Sequence, residues 1–578
     1  MQPAETAIAA ALAGHLPVDE EELLELLETP PSPEMGDYAL PCFTLAGRLK
    51  QPPQQIAAGL AEEVGLPDDV REVRAEGPYL NFFLDRPRTA ERVLRRIRAK
   101  ADAYGSAELG RGKTVLLDYS SPNIAKHLGV HHLPGTLLGD SLRRIYSALG
   151  YETVAINFLG DWGSGFGKLI AAVERYDIEQ PESLTVSDLQ KLYVRYSREA
   201  DEDERLQDAA REAARRLEEG EPEALRCWRA FRSISLAEFQ RIYQLLDVHF
   251  DRVSGESEYA EAVPQTIERL QETGVAHQSE GALVVEFGEE MPPLMVRRSD
   301  GASLYATRDL AAALDRWGQH HFDRALYVIG NEQALHIGQL RAALRQMGCD
   351  WADRMVHVNF GLIKFRDEET GEARVGSTRS GQMLLLEEVL DEALARAARK
   401  VRENAGRFEP GTDLDELATT IGLGAVRFRQ LSTRRTRDTV FDWDRMLDFE
   451  GDTGPYVMYA HARMCSILRK AGQDVTEDVD FSRLELPEEW ALVRHLEQFP
   501  RAVRRAAEQY EPSAVASHLL DLCADFSTYY SAGMSEPARR VLCDDDRLRA
   551  ARLLLVDATR HVIRNGLDLL GVSAPERM

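Results

Sequence analysis

Lysine is nearly missing from this chain: nine stand against 61 arginines among 578 residues, so each is worth locating. Cysteine is also scarce. The six present (Cys42, Cys227, Cys349, Cys465, Cys523, Cys543) lie far apart, with no Cys-x-x-Cys pair. That spacing speaks against a disulfide framework or a thiolate zinc site and fits a reduced cytoplasm. No apolar run approaches the ~18 residues a membrane span requires, and no basic segment followed by an apolar one opens the chain. Neither an anchor nor a secretory signal is therefore expected. Repeats and low-complexity tracts are missing too. The net charge is −26, which on the total alone argues against a nucleic-acid partner. Two runs are nonetheless basic: Arg92, Arg95, Arg96, Arg98 and Lys100, then Arg427, Arg429, Arg434, Arg435 and Arg437. On charge alone each reads as a solvated helix face.

What is present is most informative between Asp118 and Gly139. Val115, Leu116 and Leu117 lead into a polar turn holding Ser120, Asn123, Lys126, His131 and His132. Behind it Leu137, Leu138, Leu142, Ile145 and Leu149 recur at helical spacing until Gly150. Strand, polar loop and helix in that order form the first unit of a doubly wound α/β sheet. Ligands of such sheets sit beyond the strand ends, where helix N-termini face anions. The loop is a phosphate-site candidate, and Lys126 lies in it. His127 and His131 are spaced like two metal ligands on one helical turn, yet Pro134 and Gly135 disfavour a continuous helix there. Metal binding, phosphate contact and an ordinary structural role all stay open for these histidines.

The length predicts about three or four domains, since single cores seldom exceed ~250 residues. Residues 1–108 read as a small α+β module, with helices over Ala7–Leu16, Glu20–Leu27 and Pro53–Val64 and strands over Val70–Ala75 and Tyr79–Leu84. Residues 109–400 alternate strands (Thr114–Tyr119, Glu152–Phe158, Ala282–Phe287, Ala325–Ile329, Val356–Phe360) with helices. A charged helical insertion without strand pattern spans about 182–260. Residues 401–578 read as an all-helical bundle, with nothing resembling a strand beyond Leu414. The expected architecture is multidomain α/β, built on a central doubly wound parallel sheet.

Three further segments carry polar residues at element ends. Gly160–Lys168 alternates glycines but fails as a P-loop, because Trp162 and Leu169 stand where glycine and a hydroxyl are needed. Its glycines imply a tight turn or close backbone approach. Tyr305–Leu310 opens a helix, with Thr307 placed as an N-cap and Asp309 as a dipole partner. Tyr327–Gln333 is a strand ending in polar residues.

Together these segments resemble the class I arginyl-tRNA synthetases. Ser120–Lys126, Leu159–Gly163, Leu304–Asp309, Glu332–His336, Phe441–Asp444, Thr453–Tyr456 and Gly571–Met578 occur in the family's order. Pro33–Ala39 and Gly77–Phe82 resemble its extra N-terminal domain. The resemblance implies a Rossmann-like catalytic domain and an arginine–tRNA ligase. In that reaction arginine attacks the α-phosphate of ATP, and arginine then passes to the 3′-terminal adenosine of its tRNA. Neither step needs a protein nucleophile, so catalysis rests on positioning and on neutralising phosphate charge. Mg2+ would arrive with ATP, and no protein-bound metal is implied.

By the same resemblance Asp118, Tyr305 and Asp309 take the guanidinium end, Asn123 and Gln333 the α-amino and carboxylate groups, with Ser120 in support. Two class motifs depart from pattern. His-x-Gly-His aligns with Gly129–His132, so glycine replaces its first histidine; His132 keeps its place, and His127 or His131 is the candidate substitute. The Lys-Met-Ser-Lys-like motif aligns with Val375–Gly381, which lacks the leading lysine but keeps Ser377, Thr378 and Arg379. Lys126 then supplies the cation on ATP, with Arg374 or Arg379 adding a second charge. Tyr456, Tyr459 and Arg463 share one helical face suited to the anticodon loop, which Met578 would also reach. Asn81 and Phe83 would touch the tRNA elbow. The expected protein is cytoplasmic, free of membrane and monomeric. A catalytically altered paralogue and a non-enzymatic tRNA-binding protein remain as alternatives.

Overall fold

The computed structural model describes residues 3–289, 291–298, 305–366, 372–375 and 384–578. Five parallel strands form its central sheet: β1 (Thr114–Tyr119), β2 (Glu152–Leu159), β3 (Arg252–Gly255), β4 (Arg324–Val328) and β5 (Met355–His357). Their order is β5-β4-β1-β2-β3. Successive residues of β1 feed opposite faces, as a strand's twofold alternation requires. Val115, Leu117 and Tyr119 join the core shared with the His132–Ala148 helix, while Leu116 joins the one beneath helices Tyr305–His320 and Ala334–Gln346. From β1 the chain winds to β2 and β3 on one side and to β4 and β5 on the other. The loops after β1 and β4 therefore part and leave a crevice at the switch point. Asp118 pairs in register with Tyr327 on β4 and Ile156 on β2, directly under that crevice.

The N-terminal module carries an antiparallel sheet of Tyr38–Pro41, Tyr79–Leu84 and Val70–Glu76, with Tyr79–Leu84 central. Its last helix, Arg86–Lys100, lies against the C-terminal bundle. Arg92, buried, pairs with Asp69 and, at 2.6 Å, with Glu497; Arg98 pairs with Asp557 at 2.8 Å. Only part of this basic run is a solvated face: Arg95 and Lys100 are exposed, while Arg92 and Arg98 tie the ends of the chain together. The second run departs likewise, for Arg427 is buried and Arg435 donates to Asn359 O at 2.8 Å.

Three strand expectations change. Arg252–Gly255 falls inside the expected insertion yet forms the sheet's outer strand, so the helical excursion (Val186–Glu202, Glu204–Glu218, Pro222–Leu245) ends before it. Ala282–Val285 belongs to a separate antiparallel sheet with Ala276–Ser279 and Leu294–Arg297. Thr439–Phe441, in the supposedly strandless tail, pairs in parallel with Ile363–Arg366, which pairs antiparallel with Ala373–Val375. Runs of three or four residues are too short to show a period, and tertiary pairing decides them. The remaining tail is helical: Leu414–Ser432, Gly454–Ala471, Pro487–Glu508, Ser513–Ser535 and Asp546–Leu569 are its long helices. Among the described residues no helix is long and apolar enough to cross a membrane.

Candidate active site

The loop after β1 is held in a conformation the chain would not choose alone. Ser120, Ser121 and Ala125 all have positive φ (73°, 45° and 61°), a cost that persists only where surroundings over-determine it. The surroundings come largely from the insertion. Helix Pro222–Leu245 brings Tyr243 Oη to 2.8 Å from Ser120 Oγ, Ser235 Oγ to the Ala125 N–H at 2.8 Å, and Glu238 Oε1 to His127 Nδ1 at 2.7 Å. On its other side the loop pairs with the turn after β2. Gly160 N–H donates to Pro122 O at 3.1 Å, and Ile124 N–H to Gly160 O at 3.2 Å. A Cβ at position 160 would fall onto Asn123 Oδ1, which explains the first glycine of that turn. Gly163, at φ 125°, starts the Ser164–Arg175 helix, and Gly167 lets Ala210 and Ala214 of the insertion approach. Asp161, buried, accepts from the Ser257 N–H and hydroxyl, both at 2.9 Å, and from Arg232 Nε at 3.1 Å. The segment without a recognisable motif is therefore the clamp on the one with the clearest motif.

The histidines divide. Both ring nitrogens of His127 are engaged, by Glu238 and by Ser187 Oγ at 2.9 Å, so His127 latches the loop to the insertion and its ring is not free for phosphate. His131 packs its ring 3.9 Å from that of His132. His132 Nδ1 is spent on the Gly129 peptide (3.2 Å to N, 3.1 Å to O), leaving Nε2 for a ligand. Burial, then the neighbouring His131, lowers His132 to about 4; burial also lowers His131, against the pull of Glu332. Lys126 is exposed and has no ion-pair partner among the described residues. Ser377, Thr378 and Arg379 lie outside the described residues, as does the Arg374 side chain. The chain leaving that motif returns beside the first one: Val130 N–H donates to Leu384 O at 2.9 Å, and Leu386 N–H to Leu128 O at 2.8 Å.

Across the crevice, Asp309 and Tyr305 lie on the first turns of the Tyr305–His320 helix. Thr307 is not its cap: the residue is buried and its hydroxyl donates to Val296 O. Asp309 Oδ2 is 2.6 Å from His336 Nε2, and Tyr305, half exposed, sets its ring 4.8 Å from the His336 ring. Asp118 differs from the expectation of an open carboxylate. It is buried; Oδ1 accepts from Ser121 Oγ at 2.8 Å, and Oδ2 lies 2.8 Å from Arg316 Nη2, close enough for an ion pair though not aligned for a hydrogen bond. Arg316 is itself enclosed between the rings of Phe158 and Tyr327. Burial pushes the Asp118 carboxyl up, and Arg316 opposes that push. Gln333 is exposed at the end of the Asn331–Gln333 turn. Sequence reasoning missed Arg316 and His336 as partners; His336 alone carried a signal, at the end of a matched motif.

Tyr456, Tyr459 and Arg463 do share a face: Arg463 Nη2 donates to Tyr459 Oη at 2.9 Å, and its guanidinium lies between the rings of Tyr459 and Tyr530. Met578, in contrast, is buried, so its side chain does not extend to a partner as expected. Asn81 is also buried, facing Gly36, and the ring of Phe83 is covered by Arg74 at 4.7 Å. Among the described residues no three His, Cys, Asp or Glu side chains gather to hold a metal ion.

Three family descriptions match the chain in order. They are "Arginyl tRNA synthetase N terminal domain" over residues 2–84, "tRNA synthetases class I (R), catalytic domain" over 94–443, and "DALR anticodon binding domain" over 457–578. An arginine–tRNA ligase of Clostridium perfringens is 41% identical over 574 residues, 99% of both chains. One from Lactococcus lactis subsp. cremoris (strain MG1363) is 42% identical over 574 residues, covering 99% of this chain and 98% of the relative. The solved arginyl-tRNA synthetase of Thermus thermophilus superposes with a TM-score of 0.82 at 30% identity, covering 99% of each chain.

Proposed function

The chain belongs to the arginyl-tRNA synthetase family and ligates arginine to tRNA, with ATP as co-substrate; from that premise we propose how its residues share the work. Asp309 receives the substrate guanidinium, with Tyr305 as side wall. Asp118, enclosed and paired with Arg316, shapes the floor of that end, its charge largely offset by the guanidinium. A planar carboxylate meets a guanidinium fork with two parallel hydrogen bonds and meets a lysine ammonium with fewer, so this end selects arginine. Asn123 and Gln333, exposed at the ends of the two diverging loops, suit the α-amino and carboxylate groups, and Ser120 holds the loop in register.

Lys126 and His132 Nε2 face the ATP phosphates, with Gly129 letting the nucleotide approach and His131 in the place of the missing ring. Ser377, Thr378 and Arg379 complete this end. Positive charge on the triphosphate offsets what builds up as pyrophosphate leaves. Mg2+ would enter on the phosphate oxygens, as part of the nucleotide substrate.

Residues 1–108 are proposed to meet the tRNA elbow, 109–400 to carry both chemical steps, and 401–578 to take the anticodon stem and loop through Tyr456, Tyr459 and Arg463. With Asn81 enclosed, the elbow contact falls to the Phe83–Arg74 surface beside it. We assign the protein to the cytoplasm, a reading supported by its six unpaired cysteines, and propose that it acts as a monomer.

One observation supports the site reading: Asp118, which opens the loop of Asn123 and Lys126, stands in register with Tyr327 on β4, whose following turn carries Gln333. The experiment is arginine-dependent ATP–pyrophosphate exchange with tRNA present, followed by charging. Asp309→Asn should raise the arginine KM and leave the ATP KM alone. An Asp309→Asn enzyme with ordinary arginine affinity would remove the guanidinium assignment.

A further inference from the structure

His336 is an expensive way to fill its position. It sits on the first turn of the Ala334–Gln346 helix, nine-tenths buried, and its Nδ1 has no hydrogen-bond partner among the described residues. An apolar side chain would pack there without leaving a polar atom stranded. A buried polar group that breaks this rule is retained for function more often than for stability. The second nitrogen shows what that function is: Nε2 lies 2.6 Å from Asp309 Oδ2. With Nδ1 stranded, the ring proton belongs on Nε2, where it is donated to the carboxylate.

We propose that His336 is a positioning residue that fixes the Asp309 carboxylate for arginine recognition. The proposal rests on the assignment of Asp309 to the guanidinium. One lone pair of Oδ2 is taken by the imidazole, which sets the carboxylate plane. Oδ1 and the remaining Oδ2 lone pair stay open to the substrate. A guanidinium fork tolerates little rotation of its acceptor, because both N–H···O bonds must be straight together. A freely rotating aspartate would spend binding energy on being ordered each time arginine enters. The His336 ring is held in turn by Tyr305, tilted 53° at 4.8 Å, so the side wall of the site also props the positioning residue.

The test compares His336→Leu, which fills the space without a donor, with His336→Gln, whose amide nitrogen reaches the Nε2 position. Steady-state exchange with tRNA is measured for both, alongside Asp309→Asn and the Leu/Asn double variant. His336→Leu should raise the arginine KM about tenfold or more, the range lost with a charge-assisted hydrogen bond, while kcat and the ATP KM hold within about threefold. His336→Gln should restore the arginine KM to near the parent value, and the double variant should be no worse than Asp309→Asn. Unchanged arginine KM in His336→Leu overturns the proposal, as does a Gln variant as impaired as Leu. A parallel fall of kcat and rise of both KM values also overturns it, since that marks a general packing role. Should Asp309→Asn itself leave the arginine KM unchanged, the underlying site assignment fails. If Asp309→Asn is impaired and His336→Leu is not, only the role of His336 fails.

Discussion

Arg427 and Asp140 form a closed ion pair where three parts of the chain meet. Guanidinium Nη2 lies 2.6 Å from Oδ2, and neither side chain reaches solvent. The same guanidinium donates to Leu570 O at 3.2 Å and to Leu246 O. Asp140 belongs to the helix that starts at His132, Leu246 closes the insertion, and Leu570 closes the last helix of the tail. Burial raises the Asp140 carboxyl, but attraction to Arg427, Arg144 and Arg143 outweighs it and holds the group below its usual value. Burial lowers Arg427, against Asp140. Asp140 is the firmer member, because it faces three guanidiniums.

Breaking this pair from the arginine side should cost far more than a surface charge would. Arg427→Met leaves two buried carbonyls without a donor and Asp140 without its most enclosed partner. About 3–5 kcal/mol is the usual loss for such a change. The thermal midpoint should drop, and Arg427→Met/Asp140→Leu should recover part of the drop. A single variant melting with the parent would show that the junction is held by apolar packing alone.

Lys126→Ala should separate binding from chemistry. The ammonium is exposed on a clamped loop, so its loss disturbs no core contact. Exchange should fall about 10²–10³-fold, the scale seen when one transition-state charge stabiliser is deleted. Equilibrium binding of labelled arginine should stay within a few-fold of the parent. Weakened arginine binding with normal turnover would reverse the proposed roles of the two ends.

How much of this could be read in advance depends on where the determining contact lies. The apolar run Val115–Leu117 announced β1 because a strand buried on both faces needs side chains for two cores. The switch-point loop followed from it. Arg252–Gly255 and Thr439–Phe441 gave no such notice, being too short for a period and fixed by partners far along the chain. The same holds for side chains. Asp118 and Asp309 look alike in sequence, and only the fold puts Arg316 against the first and His336 against the second. Ser235, Glu238 and Tyr243 read as ordinary positions on a charged helix, yet they clamp the loop of Lys126. His127 resembled a phosphate ligand for the same reason it is not one: its two nitrogens suit whatever polar groups the insertion supplies.

Gly160→Ala should injure the amino-acid end without touching it. The added methyl would meet Asn123 Oδ1, and the neighbouring peptide hydrogen bonds leave the loop little room to retreat. Asn123 must move, and a displacement near 1 Å at a positioning group costs about 10²-fold. The arginine KM should rise by an order of magnitude or more. Gly165→Ala, where nothing lies within 4 Å, is the matched control and should behave like the parent. Equal effects from the two substitutions would trace the damage to helix entry and not to Asn123.

Acid should unfold this protein through its buried histidines. Burial is the first cause in each case, lowering His132 and His461 to about 4 and His518 to about 3. An unfolded histidine takes up its proton near pH 6.5. Below that value the unfolded chain binds protons that the folded chain refuses, so stability is complete above pH 6.5 and is lost as pH falls towards 4. For the enclosed His461 and His518, shifts of this size amount to roughly 3–5 kcal/mol each at full effect. Urea midpoints between pH 7 and 4.5 should therefore decline steeply. His518→Leu should flatten the decline, and at pH 7 it trades a stranded Nε2 for the lost contact with the His495 backbone, so the parent and variant midpoints should lie close together there. A variant whose midpoint falls as steeply as the parent's would take His518 out of the linkage. In the free enzyme burial holds His132 well below its usual value, so an acid limb of kcat/KM between pH 6 and 8, which reports the free enzyme, should survive in His132→Gln; its disappearance would assign that limb to His132.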